Sequence, residues 1–390
     1  MTGSTFTGRA GLWLIGSRGS VATTAVTGAS AVAAGLAPST GIVTMSGAFT
    51  DVPLPALDDM VFGGHDLVET PLAVRAARLV DGGVLPTGLP EAVADRLAAI
   101  EEEMRSGITY REARSEPLAA ARRVAGDLRA FRERHHLDQV VVINLCSTEP
   151  PTEPHPAHQD PDALMSALTR GLGVLPPSSL YALAAIQEGC AFIDFTPSTG
   201  ARLPALEALA ESHGVPIGGS DGKTGETLVK TALAPAFASR ALRVRSWVGA
   251  NLLGGGDGEA LADPVRAESK VRSKSRALEE ILGYAVESPV RIDYVRDLGE
   301  WKTAWDNIAF EGFLGIRMRM QFTWEGCDST LAAPLVLDLA RLGALGLSRG
   351  DSGIVSELAF FFKDPVGSRE HAIERQFDQL LDWAAGGVRA

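Results

Sequence analysis

Gly11-Leu-Trp-Leu-Ile-Gly-Ser-Arg-Gly-Ser-Val-Ala22 is an apolar run that breaks into a glycine-punctuated turn and then continues as small residues through about Ala34. Residues 11–16 read as a buried strand and the small-residue run as a helix. Gly16-x-x-Gly19-x-x-Ala22 therefore sits between a strand and a helix. The glycines permit a tight turn and close approach of a pyrophosphate, and Ala22 permits close helix–strand packing. The spacing lacks the usual G-x-G, so a plain strand–helix turn competes with this reading. The strand–helix–strand context favours a dinucleotide, with Gly41–Ser46 expected as the second strand. Ser46 and Gly47, not Asp or Glu, end that segment, so NAD and NADP are not distinguished there.

Working outward, helices are expected around 91–104 and 112–134. The β-branched run Gln139–Leu145 is a strand that ends in Asn144-Leu-Cys-Ser-Thr-Glu149. An irregular Pro/His-rich loop spans 150–161. Helix 178–188, strand Ala191–Phe195, helix 203–213 and strand Val215–Gly218 follow. Strands alternating with helices imply an α/β fold with a Rossmann-like doubly wound parallel sheet. The pattern changes after about residue 240. Arg243–Leu253, Val290–Val295 and Gly315–Trp324 read as strands, with helices at 264–283 and 328–345. This is a second, α+β unit. The division expected is 1–240 for the dinucleotide-binding domain, completed by 346–390, and 241–345 for the second domain. The final helix, 368–385, is expected to pack back on the first.

The 390 residues suffice for two such units, and a net charge of −12 argues against nucleic acid or an anionic membrane as partner. Cys146, Cys190 and Cys327 are odd in number and far apart, with neither a disulfide framework nor zinc spacing. His135-His136 and the group His155, His158 and Gln159 read as surface residues, so no metal is expected. Apolar runs are too short to span a bilayer, and Leu12–Ile15, followed at once by Arg18, is too short for a leader. Cytoplasm is the expected compartment.

Gly218-Gly-Ser-Asp-Gly-Lys-Thr-Gly-Glu-Thr227 looks like a phosphate cradle. A Gly-rich turn bearing Asp221 and Lys223 opens a helix at Thr224-Gly225-Glu226-Thr227, where free N–H groups and the helix dipole favour an anion. Lys270 and Lys274 lie four residues apart on one helix face, with Arg266 near. Like charges at that spacing repel, so the face is either solvated or meets an anion. Asn251-Leu-Leu-Gly-Gly-Gly-Asp257-Gly258 reads as a flexible loop or a close backbone approach to a ligand. Asp328-Ser329 reads as a helix N-cap or a site carboxylate. Lys363 follows the apolar run Phe360–Phe362, read as a strand; ligands bind at such strand ends in doubly wound sheets.

Together these residues resemble the myo-inositol-phosphate synthase family of NAD-dependent cyclases, over nearly the whole chain from Gly16 to Lys363. The ordered motifs are Phe62-Gly-Gly-His-Asp66, Ser147-Thr148-Glu149, Ser220–Thr227, Asn251-x-x-Gly-x-x-Asp257-Gly, Ser269-Lys-x-x-Ser-Lys-Ser275, Tyr294-Val295 with Lys302, and Asp328-Ser-x-Leu-Ala-x-Pro334-Leu. The resemblance implies a homotetramer built on the second domain. It implies catalytic positions at Asp221, Lys223, Lys270, Lys274, Lys302, Asp328 and Lys363. Substrate positions are Thr224, Gly225, Glu226, Thr227, Asn251 and Gly255. Cofactor positions are Gly16, Ser17, Arg18, Gly19, Ser20, Val21, Ser147, Thr148, Asp194, Asp221 and Asp257.

The implied reaction converts a hexose 6-phosphate into a cyclitol phosphate. Oxidation at C5 acidifies C6, the enolate closes the ring on a carbonyl, and re-reduction returns C5 to an alcohol. Lysine ammoniums suit the two oxyanions that arise. Lys270 and Lys363 are expected at the C5 and carbonyl oxygens, Lys274 and Lys302 at the phosphate, with Asp221 and Asp328 orienting the lysines. The chain departs from the family pattern at Gly255 and Gly256, at Asp194 for Asn, at Glu226 for Gln, and at Glu300-Trp301-Lys302 for Asp-Ser-Lys. The leading product is inositol 3-phosphate from glucose 6-phosphate. A five-membered cyclitol phosphate from fructose 6-phosphate is the alternative within the family. An inactive NAD-binding regulator and an ordinary dehydrogenase are the alternatives outside it.

Overall fold

The computed structural model describes residues 6–254 and 278–387. Lys270, Lys274, Gly255, Gly256, Asp257 and most of the helix expected at 264–283 lie outside the described residues.

The strands of the first sheet are β1 Ala10–Ile15, β2 Val61–Asp66, β3 Met104–Ser106, β4 Gln139–Asn144, β5 Ala191–Asp194, β6 Pro216–Gly219 and β11 Gly353–Ile354. Among the described residues they pair, all parallel, in the order β11-β6-β5-β4-β1-β2-β3. The chain reverses direction of winding between β1 and β4, so the crevice at their carboxyl ends is the switch point where such sheets bind ligands. The helices in chain order are α1 Ser20–Ala33, α2 Leu72–Asp81, α3 Leu89–Ala92, α4 Ala94–Glu102, α5 Tyr110–Ser115, α6 Pro117–His135, α7 Pro161–Thr169, α8 Pro177–Gln187 and α9 Pro204–His213. Then come α10 Gly225–Ser239, α11 Asp328–Arg349 and α12 Ile373–Ala384.

Two cores flank the sheet. Leu12, Leu14, Val141, Ile143 and Ile193 face α1 and α11, while Trp13, Val140, Val142 and Phe192 face α6 and α8. Strands buried on both faces read as continuous apolar runs, which is why this sheet is parallel and helix-covered. Helix α11 is long and apolar enough to cross a membrane, but 72% of its most apolar window is buried inside the protein; it is a core helix.

The second sheet has the order β10-β9-β7-β8, from β7 Arg243–Leu253, β8 Val290–Tyr294, β9 Trp301–Glu311 and β10 Arg317–Cys327. Strand β9 is antiparallel to β7 and β10, whereas β8 runs parallel to β7. Its inner face packs Val244, Trp247 and Ile308 on Ala234 and Phe237 of α10.

Several expectations need correction. Gly41–Ser46 is not a strand but carries a 3-10 turn at Val43–Met45, because the N–H groups of Val43 and Thr44 donate to the Asp338 carboxylate at 3.0 and 2.8 Å. The true second strand is Val61–Asp66. Its Gly63-Gly64 serves packing: a Cβ on Gly64 would stand 2.2 Å from the Leu14 carbonyl. Phe360–Phe362 is likewise no strand. Ser356–Phe361 is a 3-10 helix, and Phe362 only bridges Gly222. The paired histidines are not simply surface groups. His158 is buried with Nε2 2.8 Å from the Val174 carbonyl, His155 and His158 form a capping box, and His135 pairs with Glu103.

Candidate active site

The turn after β1 is built as the glycines demand. Gly16 has φ +83°, and a Cβ there would meet the Leu145–Cys146 backbone at 3.2 Å. Gly19 is the N-cap of α1 and supplies no side chain, so the first-turn N–H groups of α1 stand uncapped beside the ends of β1 and β4.

A cleft of about 380 Å³ opens here. On one side it is lined by Gly16, Gly19, Ser20, Val21, Ser147 and Thr148. On the other stand Asp221, Thr224, Glu226, Thr227, Asn251, Lys302, Asp328 and Lys363. The dinucleotide turn and the proposed sugar-phosphate residues thus share one cavity.

Two lysine–carboxylate pairs define its chemistry. Lys363 donates to Asp221 Oδ1 at 2.9 Å. This pair is clamped by a backbone ladder between two loops: Lys363 N–H donates to the Asp221 carbonyl and Lys223 N–H to that of Phe361, each at 2.7 Å. Asp221 itself has φ +60°, a left-handed conformation that Asp tolerates better than most residues. In the second pair, Lys302 of β9 donates to Asp328 Oδ1, which also accepts from Thr224 Oγ1 at 3.3 Å. Lys302 further lies 5.1 Å from the centre of the Trp324 ring. Gly225, at φ +59°, makes room for it: a Cβ there would sit 2.5 Å from Lys302 Nζ. Asp328 opens α11, yet its carboxylate is turned to Lys302 and Thr224, and the N-cap is Cys327 without a side-chain bond. The N-cap expectation for Asp328 is therefore corrected.

Other expected residues lie off the cleft. Lys223 is buried and donates to Gln376 Oε1 of α12; burial draws its ammonium down to about 7. Asp194 is buried below it and accepts from Asn144 Nδ2, Thr196 N and Thr196 Oγ1. Desolvation pushes its carboxyl up to about 7. Ser17 is buried, and Arg18 pairs with Glu101. Gly225 acts through the space it leaves.

Three residues were not singled out as site groups by sequence reasoning. Asp66 ends β2, where Rossmann folds present a carboxylate to a ribose, and accepts from Arg18 N at 2.7 Å. Misplacing the second strand hid it. Arg75 of α2 and Glu300 line the cleft itself, which Asp66 does not. Glu300 takes Ser20 Oγ of α1 and Ser329 Oγ of α11, both at 3.2 Å, and so ties two helix starts together. Cys146 lines the cleft too, but desolvation raises its thiol, which leaves it protonated and a poor nucleophile.

Residues 10–384 match the model of an NAD-binding family described as myo-inositol-1-phosphate synthase. Inositol-3-phosphate synthase 1 of Bacteroides thetaiotaomicron is 33% identical, over 97% of this chain and 94% of that protein. Inositol-3-phosphate synthase 1 of Homo sapiens is 34% identical over 75% of this chain, which spans 56% of the human protein. A crystal structure of inositol-3-phosphate synthase from Caenorhabditis elegans superposes with a TM-score of 0.87 at 25% identity, covering 99% of this chain and 87% of that one.

Proposed function

The chain belongs to the myo-inositol-1-phosphate synthase family, and on that premise we propose that it cyclises glucose 6-phosphate to inositol 3-phosphate with NAD recycled in each turnover. The observation that carries this is the shared cleft: the pairs Lys363–Asp221 and Lys302–Asp328 face the same cavity as the Gly16–Ala22 turn.

The residues fit the cofactor. The uncapped start of α1 and the Cβ-free surface of Gly16 and Gly19 suit a pyrophosphate, and Asp66 suits an unphosphorylated ribose, which favours NAD over NADP. When bound, NAD supplies a reversible hydride acceptor for the C5 carbon. Lys363 then relays the C5 hydroxyl proton, passing one of its own protons to the Asp221 carboxylate as it takes that proton and reversing the transfer on re-reduction, and it stabilises charge on the C5 oxygen. Lys302, held by Asp328 of α11 beside Gly225 at the start of α10, meets the phosphate together with the N–H groups of α10. Oxidation at C5 acidifies C6, and the resulting enolate attacks the C1 aldehyde. We assign Lys270 to the oxyanion formed at that carbonyl and Lys274 to the phosphate.

We also propose a homotetramer in the cytoplasm. In support, the β9–β10 turn and edge strand β10 expose Phe313, Leu314, Ile316, Met318 and Met320, with Phe313 87% accessible. Cys146, Cys190 and Cys327 are unpaired, as suits a reducing compartment.

The test is a competition between equal glucose 6-phosphate and fructose 6-phosphate with NAD, scored by mass and NMR of the product. A six-membered inositol phosphate from the aldose is expected. A five-membered cyclitol phosphate from the ketose would replace the product assignment, and no cyclic product would remove the function.

A further inference from the structure

The start of α10 carries a carboxylate where an anion is meant to bind. Glu226 is the second residue of the helix, and its side chain is 2% exposed. A free carboxylate in the first turn would compete with a phosphate for the same N–H groups and repel it. The side chain is instead held back. Glu226 Oε1 lies 2.8 Å from Lys230 Nζ, one helical turn on, and Oε2 accepts from Asn251 Nδ2 at 2.8 Å. Lys230 is 1% exposed and does not line the cleft. The β7 wall leaves room for the carboxylate: a Cβ on Gly249 would stand 2.7 Å from Glu226 Oε1.

We propose that Lys230 is a positioning residue for the phosphate subsite: by pairing with Glu226 beneath the cleft floor, it keeps that carboxylate turned away from the anion and leaves the α10 N–H groups to receive it. This rests on the reading that α10 binds the phosphate of a hexose phosphate. Lys230 touches neither substrate nor cofactor. It acts through Glu226, so its effect must depend on which residue occupies position 226. A lysine that attracted phosphate by its own field would matter equally with Glu or Gln there.

The experiment is a double-mutant cycle on the full-length protein, read by calorimetric binding of glucose 6-phosphate and by steady-state kinetics. Lys230→Met is expected to weaken glucose 6-phosphate binding and raise KM by about tenfold or more, with kcat and NAD affinity within about threefold of the parent protein, the pattern of lost uniform binding. In the Glu226→Gln background the same Lys230→Met change is expected to cost less than about threefold in affinity, because no carboxylate remains to be restrained. Equal losses in both backgrounds overturn the proposal in favour of a direct field. Should Lys230→Met alone fail to fold, Glu226→Gln against Glu226→Gln/Lys230→Met decides on its own, since a tenfold further loss there also overturns it. If the unmutated protein binds no sugar phosphate, the proposed function falls and takes this inference with it; if it binds and cyclises while the cycle shows no coupling, only the inference falls.

Discussion

Lys363 and Lys302 reach the cleft from different parts of the chain, one from the loop after the Ser356–Phe361 turn and one from β9, and each is met by one aspartate. Their assigned roles differ, and so do the expected losses. Lys363→Ala removes a group aimed at charge that develops during reaction, so kcat is expected to fall by about a hundredfold or more. Lys302→Ala removes the proposed phosphate contact, which would be present throughout the reaction, so KM is expected to carry most of its loss. Steady-state kinetics separate the two, with NAD binding followed by protein fluorescence as the control; a near-normal kcat in Lys363→Ala, or a near-normal KM in Lys302→Ala, would take that lysine out of the mechanism. Asp194 gives a second expectation at this scale. Its folded carboxyl titrates near 7, above the unfolded value of 3.8, because burial disfavours its charge. Between these values the folded state holds the proton that the unfolded state has lost. Asp194 therefore lowers stability as pH rises from about 4 to about 7, with no further change above. Asp194→Asn is expected to flatten that slope and to gain on the order of a few kcal/mol at pH 8 relative to pH 4. Denaturant unfolding across this range checks it, and an unchanged slope would show that Asp194 is ionised throughout. The family position held by Asp194 was legible in sequence. Its seat beneath the cleft was not, since a strand-end acid reads the same whether it faces a ligand or the core.

The elements that build the site are two loops laced together. Gly222 bridges Phe362, and the N–H groups of Ser220 and Asp364 donate to each other's carbonyls at 3.0 and 3.2 Å. Gly222 must stay small, because a Cβ would stand 2.1 Å from the Phe195 ring. Gly222→Ala is expected to destabilise by about 1–3 kcal/mol through overpacking and to separate Asp221 from Lys363. Denaturant midpoints and activity should fall together; a stable variant with full activity would show that the ladder does not position the pair. This clamp joins residues some 140 positions apart, which no local pattern reveals. The β1–α1 turn was legible because glycine spacing and apolar periodicity agree there. Strand β9 was not, because its inward positions include Lys302 and Asp306, and charge on the buried face erases the alternation that marks a strand. Gly63-Gly64 hid β2 for a related reason: residues chosen for close packing against β1 look like a turn.

On the scale of the whole molecule, the first sheet brings the N-terminal turn, the α10 start and the C-terminal loop to one edge, and the second sheet supplies Lys302 and Asn251 from across the cleft. The alternation of strands and helices made the first sheet readable in outline, whereas β11, a two-residue strand, is defined only by its pairing with β6. The exposed apolar turn of the second sheet belongs to this scale as well. Leu314→Asp is expected to shift the protein from the proposed tetramer to smaller species in light scattering while the fold, read by circular dichroism, persists; an unchanged mass would place any subunit contact elsewhere. The central claim is that oxidation and re-reduction occur on one bound sugar, so that the cofactor ends as it began. Glucose 6-phosphate deuterated at C5, incubated with the protein and less NAD than substrate, tests it most directly. The expected result is multiple turnovers to a cyclised isomer that keeps deuterium at the former C5, with no lasting rise in NADH absorbance. NADH accumulating in step with substrate consumed, and an uncyclised ketone as product, would contradict it.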